Sequence, residues 1–183
     1  MEKYIETPIT ADKIKDLRAG DIVYISGTIL TGRDSAHKRL VDLINNNEEL
    51  PIDIKDEVIY YTGPTPKKPN QPIGSCGPTS GYRMDPYAKV LMDYGLKVMI
   101  GKGDRSDKFI EEMIESKGIY LQTVGGAGVL LSRRVTHAEV VAFPDLGTEA
   151  IHRLTVKDFP VTVTYDIYGG NLVKDEIEKY RSI

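Results

Sequence analysis

The sequence predicts a layered α/β fold in a single domain covering residues 1–183, and three observations support this prediction. Short β-rich runs alternate with helical patterns, and the predicted strands outnumber the helices. The helices also cluster in the middle of the chain, which favours a layered arrangement over a regular doubly wound sheet. Finally, 183 residues with 40% apolar side chains suffice for one hydrophobic core and are few for two.

The first half of the chain supplies four elements. Residues 21–29 alternate in polarity and are rich in β-branched side chains, which predicts a strand. Residues 35–46 place apolar side chains near one face of a helix, and residues 58–61 form a short apolar run typical of a strand. Residues 86–94 begin with a proline and stop before Gly95, which is the pattern of a short helix.

The second half continues the alternation. Residues 97–100 predict a strand that ends at Gly101, and residues 107–117 predict an amphipathic helix that ends at Gly118. A strand follows directly at residues 119–122. After a pair of glycines come β-rich runs at 134–142, 150–157 and 161–167, and then a charged terminal helix at 171–180.

Residues 64–72 contain four prolines, which exclude a helix or a central strand. The stretch could join two domains, but the segment before it is too small to fold alone. We therefore expect an ordered surface loop.

Composition excludes several classes of protein. No apolar run approaches the roughly 18 residues of a membrane helix, and the N-terminus lacks the apolar core of a signal peptide, so we expect a cytoplasmic protein that contacts no membrane. The net charge of −3 argues against nucleic-acid binding through bulk charge. The single cysteine, Cys76, excludes an internal disulfide and an iron–sulfur cluster built from this chain alone.

Residues 74–85 are the segment richest in candidate functional groups. They are rich in glycine, then polar, and then enter a helical pattern. If the segment is helical there, the Thr79 hydroxyl and the Arg83 guanidinium, four residues apart, share one face. An arginine can grip a carboxylate and can stabilise an alkoxide. A turn with a capping threonine and a solvated arginine is the alternative.

Residues 31–39 form a second strand–helix corner with polar side chains. Arg33 lies where α/β folds often contact ligands, and Asp34 or Ser35 can cap the following helix. His37 could act as an acid, a base or a ligand-orienting group, or it could be a histidine on the helix surface.

A third corner lies at residues 101–106, where Lys102 stands between two glycines with room to reach a ligand. The spacing of a phosphate-binding loop is absent, and a tight turn with a solvated lysine is the alternative. Residues 124–128 form another glycine-rich loop. Together the corners offer three cations and a hydroxyl, a set that suits a small dicarboxylate.

Cys76 lies in the same glycine-rich region. A nucleophilic cysteine needs a nearby base, for which His37 is conceivable. The favoured interpretation is a small buried residue.

Four motifs, in order along nearly the whole chain, resemble the β subunit of class I, iron–sulfur-dependent fumarate hydratases and L-tartrate dehydratases. They are the T-G-R-D-S-A-H-K-R string at 31–39, the G-P-T-S-x-x-R-M-D signature at 77–85, the G-K-G-x-R-S loop at 101–106, and the block from 144–151 through D-F-P at 158–160. Two departures, V-G-G-A-G-V at 124–129 for I-G-G-P-A-A and His152 for a frequent tryptophan, leave the substrate open.

The resemblance implies a swivelling β/β/α domain and a set of site residues. Thr79 would be the catalytic base, supported by Arg83. Arg33 and Lys102 would bind substrate carboxylates. His37 is a further substrate-binding candidate because of its place in the second corner, and not because of the resemblance.

The resemblance also implies a partner. The [4Fe-4S] cluster would be held by three cysteines of an α subunit and not by this chain, in an α2β2 hetero-oligomer. The expected activity is reversible hydration of fumarate to L-malate. L-Tartrate dehydration and a non-catalytic carboxylate-binding module remain alternatives.

Overall fold

The computed structural model describes residues 1–181, and in this part of the chain strands and helices alternate largely as predicted. The strands are β1 (Glu2–Glu6), β2 (Ile22–Thr31), β3 (Val58–Tyr60), β4 (Val98–Gly101), β5 (Ile119–Gln122), β6 (Val135–Ala142) and β7 (Ile151–Tyr165). The helices are α1 (Ala11–Ile14), α2 (Asp34–Asn45), α3 (Asp85–Asp93), α4 (Asp107–Glu115), α5 (Gly128–Ser132) and α6 (Leu172–Arg181), with 3₁₀ turns at Gly81–Met84 and Pro144–Glu149.

The strands form one mixed sheet of seven strands in the order β1-β2-β3-β4-β5-β7-β6. Strands β1 to β5 pair in parallel, whereas β7 runs antiparallel to β5 and β6. The long strand β7 also pairs antiparallel with β2, so the sheet closes on itself. The carboxyl ends of β2, β3 and β4 therefore meet at one edge, where the predicted corners lie.

The central strands β3, β4 and β5 are buried on both faces, which explains their continuous apolar sequences. One face packs against side chains of β2 and β7, including Ile25 and Phe159. The opposite face packs against α2, α3 and α4 through side chains such as Leu40, Leu91 and Phe109. The two cores hold the sheet and the helices in fixed register.

Strand β7 corrects one expectation. The β-rich runs at 150–157 and 161–167 belong to a single 15-residue strand that continues through Pro160. Proline is tolerated because this part of β7 lies between its pairings with β6 and β5 and has only β2 as a neighbour. The short elements β1, α1 and α5 carry too few periodic residues to be recognised from the sequence.

The proline-rich segment at 64–72 contains no helix or strand, as predicted. The Thr65 N–H donates to the Ser75 carbonyl at 3.0 Å, and the Ser75 N–H donates to the Thr65 hydroxyl at 2.9 Å. These bonds tie the start of the loop to the glycine-rich segment that follows it. Among residues 1–181, no helix has the length and apolar character required to span a membrane.

Candidate active site

Residues 79–81 insert between the ends of β3 and β4, where the two strands separate. The Thr79 N–H donates to the Tyr61 carbonyl at 2.6 Å, and the Lys102 N–H donates to the Thr79 carbonyl at 3.1 Å. The Gly81 N–H then donates to the Lys102 carbonyl at 2.8 Å. Crevices at the carboxyl ends of parallel strands are usual ligand sites in α/β folds. The insertion brings the backbone of Thr79 against that of Lys102 at this edge of the sheet.

Glycine is required at 101 for this close approach. A Cβ atom there would lie 2.9 Å from Cδ2 of Tyr61 and 2.7 Å from the Tyr120 hydroxyl. Both distances are shorter than real Cβ contacts allow. Only glycine at 101 therefore leaves room for the Tyr61 and Tyr120 side chains beside β4.

Thr79 is 8% exposed, and its hydroxyl makes no hydrogen bond within the described residues. The expectation that Thr79 and Arg83 share a helical face is wrong, because the chain is extended at Ser80 and a 3₁₀ turn begins only at Gly81. The hydroxyl also does not cap α3, whose preceding residue is Met84. Thr79 is therefore held by its backbone bonds, and its hydroxyl remains available for a ligand.

Asp34 joins the two arginines of the site. Its Oδ2 atom lies 2.5 Å from Nη2 of Arg83 and 3.3 Å from Nε of Arg33. Burial alone would raise the pKa of the Asp34 carboxyl, but hydrogen bonds from its own backbone and from Arg83 hold the pKa below its usual value. Asp34 is therefore charged at neutral pH and fixes Arg33 and Arg83 relative to each other.

Of the three cations predicted for the site, Lys102 differs from Arg33 and Arg83 in having no charged partner. Its Nζ atom makes no ion pair or hydrogen bond with any residue in the range 1–181. Its aliphatic chain runs along Gly125, where a Cβ atom would lie 3.5 Å from Lys102 Cδ and 3.8 Å from Nζ. The glycine-rich loop at 124–128 thus lies beside Lys102. An unpaired ammonium is well suited to an anionic ligand.

His37 lies in the interior of the protein next to Arg33, and not on the protein surface. The side chain is buried, with Nδ1 3.1 Å from the Arg33 carbonyl and Nε2 without a partner among the described residues. Burial lowers the pKa of the imidazole to about 4, so it is neutral at physiological pH. The alternative of a surface histidine is therefore wrong. In this position the ring can orient Arg33 through its backbone.

Cys76 is fully buried in the core between the sheet layers, where burial raises the pKa of its thiol to about 12. Its carbonyl accepts a hydrogen bond from the Tyr60 hydroxyl at 2.5 Å. A protonated, inaccessible thiol is not a nucleophile, so Cys76 is a packing residue.

Two ion pairs that the sequence did not predict, Arg105–Asp85 and Arg33–Glu149, hold the site together. Nε of Arg105 lies 2.5 Å from Oδ1 of Asp85, at the start of α3, and the Ser106 N–H donates to Oδ2 of the same carboxylate at 2.9 Å. Glu149 makes a similar contact with Arg33, at 2.8 Å from Nε. The charges are visible in the sequence, but nothing local to them indicates their distant partners.

The side chains do not fit an iron–sulfur cluster. Within residues 1–181 no group of three or more His, Cys, Asp or Glu side chains is arranged to hold a metal, and Cys76 is protonated and inaccessible. A cluster of this kind is held by cysteine thiolates.

Comparison with known proteins identifies relatives of two architectures. The anaerobic class I fumarate hydratase of Escherichia coli K12 is 41% identical over 157 residues, 85% of this chain but 29% of that protein. The L(+)-tartrate dehydratase subunit beta of the same strain is 32% identical over 180 residues, 96% of this chain and 88% of that subunit. A putative L(+)-tartrate dehydratase subunit beta of Methanocaldococcus jannaschii is 33% identical over 183 residues and is covered over 93% of its length.

The chain thus spans between about a quarter and a third of the class I fumarate hydratases it matches and nearly all of the two beta subunits. A family model described as Fumarase C-terminus matches residues 2–176. This match takes in all four sequence motifs and the whole closed sheet, and the chain therefore belongs to the fumarase C-terminus family.

Proposed function

We propose that this chain is the β subunit of a two-chain hydro-lyase that hydrates fumarate reversibly to L-malate. The observation that carries the proposal is the backbone pairing of residues 79–81 with Lys102 at the carboxyl ends of β3 and β4. The side chains of Thr79 and Lys102 present a hydroxyl and an ammonium that make no hydrogen bond or ion pair within residues 1–181. Arg83 and Arg33 lie at the same edge of the sheet, where the Asp34 carboxylate joins them.

The roles of the side chains follow from their chemistry. Thr79 Oγ accepts the proton removed from the substrate carbon. A free threonine hydroxyl is a poor base, so its alkoxide must be favoured by nearby cations, of which Arg83, with its buried and unpartnered Nε, is the strongest candidate. Lys102 and Arg33 bind carboxylates and fix the position of the substrate before reaction. His37 orients Arg33 from behind.

The proposed partner is an α subunit that supplies the rest of the active site, in an α2β2 hetero-oligomer. The similarity of this chain to nearly complete beta subunits, and to no more than about a third of the longer hydratases, supports a division between two chains. We place the [4Fe-4S] cluster in the α subunit, where it supplies Lewis-acid chemistry toward the leaving hydroxyl. The cores on both faces of β3–β5 support the swivelling β/β/α arrangement.

L-Tartrate dehydration by the same residues is the second candidate. One observation favours it, since the relatives that this chain covers over 88% and 93% of their length are named tartrate dehydratase beta subunits. Tartrate and malate both carry two carboxylates and a hydroxyl, so the same cations can bind either.

The deciding experiment is co-expression of this chain with a candidate α chain under anaerobic conditions. The purified complex is assayed on fumarate, L-malate and L-tartrate, and the isolated chain is assayed in parallel. We expect the complex to turn over substrate and the isolated chain to be inactive. Turnover of fumarate by the isolated chain, or an assembled and cluster-loaded complex that is inactive on all three acids, would contradict the proposal.

A further inference from the structure

Glu149, at the end of the 3₁₀ turn before β7, contacts two parts of the Arg33 corner at once. Its Oε1 atom lies 2.8 Å from Nε of Arg33, and its Oε2 atom accepts a hydrogen bond of 3.0 Å from the Ser35 N–H. Helix α2 has no cap from the side chain of its preceding residue, so Glu149 supplies the missing acceptor from a distant part of the chain.

Gly63 lies close against the Arg33 side chain. A Cβ atom at 63 would lie 3.1 Å from both Cδ and Nη1 of Arg33. The Arg33 side chain is 31% exposed, and neither Nη atom makes a hydrogen bond within residues 1–181. Glu149 thus holds Nε and glycine at 63 leaves room for the guanidinium, while its terminal nitrogens remain able to bind a ligand.

The clamp on Arg105 provides a comparison within the same fold. The Asp85 carboxylate lies against Nε of Arg105 and accepts from the backbone N–H of Ser106, just as Glu149 contacts Arg33 Nε and the Ser35 N–H. The Arg105 side chain has no exposed area, whereas that of Arg33 is 31% exposed. A carboxylate on Nε and on a nearby backbone N–H thus accompanies a fully buried side chain at Arg105 and a partly exposed one at Arg33.

We propose that Glu149 is a positioning residue that holds Arg33 in the orientation in which it binds a carboxylate of the ligand. The inference rests on the proposed function, because it takes Arg33 as a substrate-binding group. Without Glu149, the remaining carboxylate beside Nε is Asp34, at 3.3 Å, and Arg33 turns toward it.

The electrostatic effect of Glu149 makes the proposal easy to test. A carboxylate next to an anion site repels the anion, so neutralising Glu149 should strengthen binding if charge alone matters. If Glu149 acts by orientation, neutralisation weakens binding instead. The sign of the change therefore separates the two roles.

The test measures binding of succinate, a saturated dicarboxylate that needs no turnover, to the full chain by isothermal titration calorimetry. We expect Glu149→Gln to weaken binding at least about tenfold, the loss typical of a charge-assisted contact. Glu149→Asp keeps the charge but shortens the side chain, and it should also weaken binding. The matched control is Asp145→Asn, which breaks the Arg39–Asp145 ion pair in the same 3₁₀ turn and should change affinity less than twofold.

Unchanged or tighter binding in Glu149→Gln would overturn the inference, as would a wild-type chain that does not bind succinate. In the assembled complex, Glu149→Gln should raise KM at least fivefold and change kcat less than threefold, which loss of a helix cap alone would not do. A wild-type complex active on fumarate with an unchanged KM in Glu149→Gln refutes only the inference. A wild-type complex inactive on all three acids, with succinate binding still lost in Glu149→Gln, refutes only the proposed function.

Discussion

Arg105 and Asp85 form an ion pair in which the arginine side chain has no exposed area and the aspartate is 16% exposed. The guanidinium also lies 3.3 Å from the centre of the Phe109 ring. The pair links the start of α3, directly after the 3₁₀ turn that carries Arg83, to the residues just before α4. It thereby fixes the position of the Arg83 turn relative to the loop that follows β4.

Asp85→Asn should therefore destabilise the fold strongly. It leaves the buried Arg105 charge uncompensated, which costs about 3 kcal/mol of unfolding free energy. Asp42→Asn, which breaks the exposed Lys38–Asp42 pair, is the matched control and should cost about 0.5 kcal/mol or less. Urea unfolding of the three proteins measures the difference, and equal stabilities for the two variants would contradict it.

Thr79→Val should lower kcat of the assembled complex by roughly 10²–10⁴, the usual contribution of general acid–base catalysis. The variant keeps the shape of the side chain and the three backbone bonds that hold the segment, so the melting temperature should change little. Thr79→Ser retains the hydroxyl and should retain more activity. Normal turnover by Thr79→Val would show that the proton acceptor is another group.

Lys102→Met should lower kcat/KM by a factor equivalent to about 1.5–3 kcal/mol of transition-state stabilisation, because a charge-assisted contact to the substrate is lost. The aliphatic chain along Gly125 is preserved in the variant. Lys108→Met serves as the control. It removes an equal positive charge from the exposed face of α4, away from Lys102. If the two variants have the same kinetics, Lys102 does not bind substrate.

The buried His37 should make stability depend on pH. Its folded pKa of about 4 lies below the value of about 6.5 expected in the unfolded chain, so the unfolded state binds more protons between these limits. The neutral ring contributes fully to the free energy of unfolding at pH values well above 6.5, and this contribution is lost as pH falls toward 4. Between pH 7.5 and pH 5.5 the loss is about 1.3 kcal/mol.

His37→Gln removes this titration and should lose correspondingly less unfolding free energy over the same pH interval. Urea unfolding of both proteins at pH 7.5 and pH 5.5 supplies the comparison. Identical pH dependence would mean that the ring is accessible and titrates normally in the folded protein.

The helices and central strands were predictable because their signals are local. The continuous apolar runs of β3, β4 and β5 reflect burial on both faces of the sheet. The amphipathic pattern of α4 reflects burial on one face of the helix. The join across Pro160 was not predictable, since proline is acceptable there only because β7 has one neighbouring strand at that point. The 3₁₀ turn after Ser80 was likewise missed, because residues 79–81 adopt their conformation by pairing with Tyr61 and Lys102.

The sequence by itself determined the mixed α/β class, the three polar corners and the candidates Arg33, Thr79, Arg83 and Lys102, because each depends on residue types at short spacing. The tertiary structure alone decided which charges are free and which are paired. Arg33 contacts Asp34, the next residue in the chain, and Glu149, which lies 116 positions further on. Burial lowers the pKa of His37 and makes its ring neutral. Long-range packing sets these pairings and pKa values, and no local pattern in the chain records them.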